Sequence, residues 1–119
     1  MKTKTILLAL VLSLFLTNCV QKTYKRTIVF TLDASEIKNV KKVAIRGNDK
    51  PLSWGEATEM KLNATNNTYQ IATTFVTGYK FTEVKFVVND SLEFENEDNR
   101  RVVFSEKDTT YYKAKFNKR

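Results

Sequence analysis

The chain has 119 residues, with 20 Lys and Arg against 13 Asp and Glu, so its formal net charge is +7. It contains no histidine and one cysteine, which excludes a Ser-His-Asp or Cys-His catalytic set, a histidine-bearing zinc site and an intramolecular disulfide. An apolar fraction of 42%, with 12% aromatic residues, is too high for a disordered chain and indicates one small folded domain.

The start of the chain has the pattern of an export signal. Lys2 and Lys4 precede an apolar stretch over residues 6–16 that only Ser13 interrupts. Eleven residues are too few for a membrane-spanning helix, which needs about 20, but they are typical of the apolar part of a signal peptide. We therefore predict a signal peptide over residues 1–18.

The sequence Leu16-Thr17-Asn18-Cys19 resembles a bacterial lipobox, in which cleavage precedes the cysteine and its thiol carries the lipid. Asn18 departs from that pattern, which prefers Gly, Ala or Ser at this position. Ordinary signal-peptidase cleavage and an uncleaved anchor remain the alternatives. The resemblance implies an exported protein that is anchored to the bacterial cell envelope through a lipid on Cys19, facing either the periplasm or the cell surface.

Residues 19–26 are predicted to form a short basic tether. Removing residues 1–18 takes away two lysines, so 101 residues remain and the net charge falls from +7 to +5. A basic domain can bind nucleic acid, but that partner fits poorly with an exported lipoprotein. We interpret the charge as a solvated surface near an anionic membrane and expect no nucleic-acid partner.

Residues 27–119 contain short runs in which apolar and polar residues alternate, as β-strands do. The runs are 28–32, 43–45, 60–62, 69–75 and 84–88, with further short candidates at 92–94, 101–104 and 110–116. Residues that favour turns, such as Gly78 and Asn89-Asp90, separate them. Seven or eight short strands at this spacing predict an all-β, antiparallel, immunoglobulin-like β-sandwich, with at most one helical turn over 34–38.

Because sandwiches host many functions, the candidate function depends on particular side chains. Trp54 is the only tryptophan, and the nearby Pro51 and Gly55 favour a loop. Residues 94–100 bring together an aromatic ring, a carboxylate, an amide and a guanidinium, and Lys85 is expected on the outer face of its strand. A sugar ring has apolar C–H faces and a hydroxyl edge, so it needs flat aromatic rings together with Lys, Glu or Asn side chains.

Residues 43–116 resemble a starch-binding domain of carbohydrate-binding module family 20. The family opens with a strand that ends in glycine and a Leu-Gly-Asn-Trp loop, to which Val43-Ala44-Ile45-Arg46-Gly47 and Leu52-Ser53-Trp54 are similar. Leu62 lies where the family has a leucine, and Val84-Lys85-Phe86 matches a Tyr-Lys-Phe strand at two positions. The family's Trp-Glu, three variable residues and Asn-Arg correspond to the segment Phe94-Glu95-Asn96-Glu97-Asp98-Asn99-Arg100.

The resemblance implies a non-catalytic module that binds α-glucan such as starch, glycogen or maltooligosaccharides, without a cofactor or metal. Trp54 would be the first stacking platform, and Phe94 the second in place of the family's tryptophan. Lys85, Glu95 and Asn99 would bond sugar hydroxyls. A structural role is implied for Arg100, paired with a nearby carboxylate, and the protein would hold polymer for a separate glycoside hydrolase. Candidates for a second sugar site are Tyr24, Tyr69 and Tyr79.

Each of these residues also has a plainer interpretation. Trp54 and Phe94 could pack as core aromatics, Lys85 could be a solvated strand residue, and residues 93–98 could form only a hydrophilic hairpin. That hairpin could also hold a glycosidase carboxylate pair or Ca²⁺, but a small sandwich rarely forms the necessary cleft and the spacing matches no calcium loop. The same fold without sugar binding would be a structural or protein-interaction lipoprotein.

Overall fold

The computed structural model describes residues 22–119 and is an all-β sandwich of two packed sheets. Its strands are β1 (Tyr24–Asp33), β2 (Val43–Gly47), β3 (Thr58–Glu59), β4 (Lys61–Asn63), β5 (Thr68–Thr77), β6 (Phe81–Val88), β7 (Ser91–Leu92), β8 (Arg100–Val103) and β9 (Thr109–Lys115). The predicted signal peptide over residues 1–18 and the predicted lipid site at Cys19 lie outside the described residues. Over residues 22–119, no helix is long and apolar enough to cross a bilayer.

The sandwich consists of a four-stranded sheet and a five-stranded sheet. The β1 sheet has the strand order β4-β5-β1-β9, and the β6 sheet has the order β3-β2-β6-β7, with β8 also paired to β6. Neighbouring strands are antiparallel except for β1 and β9, which are parallel. The predicted β-sandwich is therefore confirmed. The parallel pairing of β1 and β9 was not predicted, because the alternation of apolar and polar residues shows which face of a strand is buried but not the direction of the neighbouring strand.

The core lies between the inner faces of β1 and β6. Ile28, Phe30 and Leu32 of β1 are fully buried, as are Val84 and Phe86 of β6. The rings of Phe30 and Phe86 meet edge to face with centroids 6.2 Å apart, which joins the two sheets. Each fully buried side chain of this size contributes about 1.5–3 kcal/mol before the entropy of ordering is subtracted.

The structure corrects the predicted boundaries in several places. β1 begins at Tyr24, so the last three residues of the predicted 19–26 tether belong to the sheet, because main-chain pairing continues beyond the apolar run. The strand predicted at 60–62 corresponds to β4 at Lys61–Asn63, and β3 at Thr58–Glu59 is an additional short strand. Buried Met60 lies between them, and its N–H donates to the Val43 carbonyl at 2.8 Å. β3 and β4 lie in different sheets, and the described strands number nine. Residues 34–38 form turns without a helix.

Candidate functional site

Strands β2 and β6 place two cations side by side on the outer face of the β6 sheet. Arg46 lies directly opposite Lys85 in the antiparallel register, and opposite residues on one face have Cβ atoms about 4.5–5.5 Å apart. Their sequence neighbours Ile45 and Phe86 are fully buried. Because side chains alternate along a strand, Arg46 and Lys85 point away from the core.

The loop after β2 brings Trp54 to this face. The Trp54 carbonyl accepts a hydrogen bond from Arg46 Nη1 at 3.0 Å, and the residue is half-buried. Leu52 anchors the loop in the core, against Gly47. A Cβ on Gly47 would lie 2.8 Å from Leu52 Cδ1 and 3.1 Å from Val84 Cγ1, so the absence of a side chain at Gly47 is what lets the loop pack this closely. Trp54 is thus a partly exposed aromatic on a firmly held loop.

The loop after β7 reaches the same face and covers Lys85. The Lys85 ammonium Nζ donates to the carbonyls of Phe94 at 2.7 Å and Glu97 at 2.8 Å. Lys85 does face away from the core, but the loop leaves it only 6% exposed. The expectation of an accessible ammonium for sugar hydroxyls is therefore wrong, because Lys85 instead holds the backbone of the loop that carries Phe94.

The Phe94 backbone has an unusual conformation that several contacts hold in place. Its φ of 47° lies in the left-handed region, which non-glycine residues seldom adopt. The Phe94 N–H donates to Asn117 Oδ1 at 3.0 Å, and the Glu97 N–H donates to the Phe94 carbonyl at 2.9 Å. Together with the bond from Lys85 Nζ, these contacts fix both polar groups of the Phe94 main chain.

The Phe94 ring is covered by two guanidinium groups. Arg100 Cζ lies 4.8 Å and Arg119 Cζ 4.1 Å from the ring centroid, and Phe94 is buried, with 6% of its surface exposed. Arg119 is also held by a hydrogen bond from its Nη2 to the Asp98 carbonyl at 2.6 Å. The expectation of an open aromatic platform at Phe94 is therefore wrong in this structure, because the C-terminal turn brings Arg119 over the ring.

A buried ion pair supports both the loop and the C-terminal turn. Arg100 Nε and Nη2 donate to the two carboxylate oxygens of Glu93 at 2.7 and 2.8 Å. The same carboxylate accepts from the Asn117 N–H, and Arg100 Nη2 donates to the carbonyls of Lys115 and Lys118. Burial is the largest single effect on the pKa of Arg100 and acts to lower it, but the hydrogen bonds to Glu93 and Tyr112 and the charge of Glu93 together outweigh burial, so the pKa is raised. The predicted structural pairing of Arg100 with a carboxylate is confirmed.

The two remaining predicted contacts lie on the same loop, where solvent can reach them. Glu95 is exposed and Asn99 is half-buried. An open cleft of about 520 Å³ is lined by Glu83, Glu97, Asp98, Asn99 and Arg101, and so includes Asn99 but not Glu95. Carboxylate, amide and guanidinium groups can accept from and donate to hydroxyls, so this cleft suits a hydroxyl-rich ligand. A larger cleft of about 620 Å³ along β4 and β5 includes none of the predicted site residues.

Sequence reasoning missed three residues that build this site. Arg46 holds the Trp54 loop, Asn117 holds the Phe94 backbone, and Arg119 covers the Phe94 ring. The register of β2 against β6 would have identified Arg46, since it lies opposite Lys85. No local pattern indicates Asn117 or Arg119, because both reach Phe94 from more than 20 residues further along the chain.

No protein-family model matches this chain, and no curated protein is significantly similar to it. The fold and the site define a small β-sandwich in which two aromatic-bearing loops are each held by one of two neighbouring cations, Arg46 and Lys85, on one sheet face. Within residues 22–119, no group of three or more acidic or thiol side chains could hold a metal ion.

Proposed function

We propose that this protein is a non-catalytic carbohydrate-binding module that holds α-glucan at the bacterial cell envelope. The observation that supports this proposal is the convergence of the Trp54 and Phe94 loops on the Arg46–Lys85 pair, at one sheet face. The indole of Trp54 offers an apolar surface to a sugar ring. Glu95 and Asn99 offer polar groups to its hydroxyls. The Phe94 ring is not part of this open surface and would become a second platform only if Arg119 were removed from it.

The expected affinity is weak because one ring is open. If Trp54 removes roughly 60 Å² of apolar sugar surface from water, the gain is about 1.5 kcal/mol. Hydrogen bonds to charged groups add about 1.5–3 kcal/mol each, and association costs at least about 4 kcal/mol. The balance corresponds to a dissociation constant on the order of millimolar or weaker for a short glucan. Many copies on a membrane surface would bind a long polymer more tightly through multivalency.

The proposal also covers the location of the protein and the enzyme with which it would act. A lipid on Cys19 would anchor it to the envelope membrane, and the glucan that it holds would be the substrate of a separate glycoside hydrolase. The module itself would cleave nothing and would need no cofactor. Its polar loops would serve to retain the polymer close to the membrane.

Affinity gel electrophoresis with amylose tests the proposal, with soluble cellulose as the control polymer. We expect amylose to retard the wild-type protein, and Trp54→Ala to abolish the retardation because the open platform is gone. Tyr111→Ala is the matched control, since Tyr111 is an exposed aromatic on the outer face of the other sheet. A wild-type protein that amylose does not retard would refute the proposal, as would full retardation of Trp54→Ala.

A protein-interaction lipoprotein is the second candidate. The observation that favours it is that Lys85 and Phe94, two of the five predicted sugar contacts, are buried by the protein's own loops. In this case Trp54 would contact a protein. A pull-down from envelope extract that requires Trp54 and is unaffected by maltoheptaose would support this candidate over sugar binding.

A further inference from the structure

One end of the sandwich carries exposed apolar side chains that the proposed sugar site does not use. Tyr24, Val76, Tyr79, Phe81 and Val103 are all exposed there. Among the described residues, they are five of the eight large apolar side chains that are exposed to solvent. Large apolar side chains that gather at one place on a surface mark an interaction site more often than isolated ones do.

Strand pairing brings these residues to the same end. Tyr24 pairs with Thr77 at the start of β1, and Phe81 pairs with Val103 where β6 begins and β8 ends. The turn from β5 to β6 carries Tyr79 between them. We call this surface the tether end and define it as residues 22–26, 76–81 and 103–108, because the described chain begins there.

The tether end is also basic. It carries Lys22, Lys25, Arg26, Lys80 and Lys107 against Glu106 and Asp108. Two of its rings lie beside guanidinium groups, with Arg26 Cζ 5.3 Å from the Tyr24 ring centroid and Arg101 Cζ 4.2 Å from that of Phe81. Aromatic rings interleaved with Lys and Arg are typical of surfaces that rest in the headgroup region of a membrane.

A comparison with the opposite end shows that charge alone does not distinguish this surface. The loop between β1 and β2 also carries lysines, at Lys38, Lys41 and Lys42. None of the eight exposed large apolar side chains lies in that loop, and only Leu62 on β4 and Leu92 on β7 lie towards that end, against five at the tether end. Apolar and basic groups occur together at the tether end, which is the combination that a bilayer surface requires.

We propose that the tether end docks on a bilayer surface that contains anionic phospholipid. Tyr24, Tyr79, Phe81 and Val103 enter the headgroup region, and the basic side chains contact lipid phosphates. Cys19 lies five residues before Tyr24, so a lipid on it would hold this end within at most about 18 Å of the membrane. A basic, apolar end beside such an anchor would give the protein a second contact with the membrane and fix its orientation there.

Docking in this orientation keeps the proposed sugar site accessible. Lys85 lies four residues beyond Phe81 along β6, which corresponds to a height of about 13 Å above the docked end. The β6 sheet would then stand upright on the membrane, with its outer face perpendicular to the membrane surface. The Trp54 loop begins beside the tether end, where the Asn48 N–H donates to the Glu83 carbonyl at 3.0 Å. Trp54 itself is held by Arg46, level with Lys85, so a glucan chain could reach it without displacing the docked end.

Depth-dependent quenching in the full-length, lipid-modified protein tests this proposal. In a Trp54→Phe background, Tyr79→Trp places the single indole at the tether end. Tyr111→Trp places it at a still more exposed tyrosine on the side of the sandwich. In vesicles of phosphatidylethanolamine and brominated phosphatidylglycerol, we expect strong quenching and a blue shift at position 79 and neither effect at position 111. Equal quenching at both positions, or none at 79, would overturn the proposal.

The second measurement is the dependence of the quenching at position 79 on lipid charge. Each basic residue near an anionic surface favours binding by about fivefold, so Lys25→Gln with Lys80→Gln should lower the ratio of docked to undocked protein about thirtyfold. Lys41→Gln with Lys42→Gln is the control at the opposite end and should leave quenching unchanged. Vesicles of brominated phosphatidylcholine alone should give little quenching at position 79. Quenching at position 79 that is insensitive to lipid charge and to the tether-end lysines would overturn the proposal.

Discussion

At the scale of single residues, Phe94 shows how a correct local pattern can lead to a wrong expectation. An aromatic ring after a short strand in a polar hairpin is typical of a contact residue. Its ring is nevertheless buried, because Arg100 and Arg119 lie against it. A cation above an aromatic ring gains about 0.5–1 kcal/mol at an exposed site, which a competing sugar could displace. Of the two arginines, only Arg119 is exposed at the surface, so it is the one whose removal would open a face of the Phe94 ring.

Arg119→Ala should strengthen glucan binding. Removing the guanidinium exposes one face of the Phe94 ring, and recovering roughly 60 Å² of stacking corresponds to an affinity for maltoheptaose about tenfold higher. Isothermal titration calorimetry measures the change. Lys113→Ala is the control, because Lys113 is an exposed cation on β9 of the other sheet, away from Phe94. Unchanged or weaker binding by Arg119→Ala would show that the covered ring is not a sugar platform.

At the scale of elements, β6 organises the molecule, since it pairs with β2, β7 and β8. Alternation in the sequence correctly predicted β1, β5, β6 and β9, because each is long enough for its inner face to be recognised. It did not predict β3 or the passage of the chain from one sheet to the other at Met60. It also could not give strand register, so the contact between Arg46 and the Trp54 loop was not foreseen.

The buried pair of Glu93 and Arg100 should dominate the stability of the C-terminal turn and the Phe94 loop. Arg100→Met leaves the Glu93 carboxylate buried without its cation, and removing one partner of a buried pair costs about 3–5 kcal/mol. The exposed pair of Arg101 and Glu83, 3.7 Å apart, is the matched control. Arg101→Met should cost less than about 1 kcal/mol.

Urea unfolding of the two variants, followed by circular dichroism, measures both free energies. Similar losses for Arg100→Met and Arg101→Met would contradict the structural role of the buried pair. A large loss for Arg100→Met alone would support it. Such a loss would also support a structural role for Arg100, as opposed to a role as a sugar contact.

At the scale of the whole molecule, the sandwich carries two adjoining surfaces. The aromatic loops occupy the outer face of the β6 sheet, and the basic, apolar tether end lies where the described chain begins. The sequence pattern was sufficient for the sandwich and for the loops that carry the candidate residues. It could not indicate the tether end, since Tyr24, Tyr79 and Val103 are far apart in sequence and only strand pairing brings them together.

The intrinsic fluorescence of Trp54 tests sugar binding most directly, because this is the only tryptophan in the chain. Full-length protein is titrated with maltoheptaose, and with a cello-oligosaccharide of similar length as the control. Stacking of glucose on the indole predicts a saturable change in tryptophan emission with maltoheptaose and none with the control sugar. Emission from folded protein that does not change at high maltoheptaose concentration, or that responds equally to both sugars, would contradict α-glucan binding at Trp54.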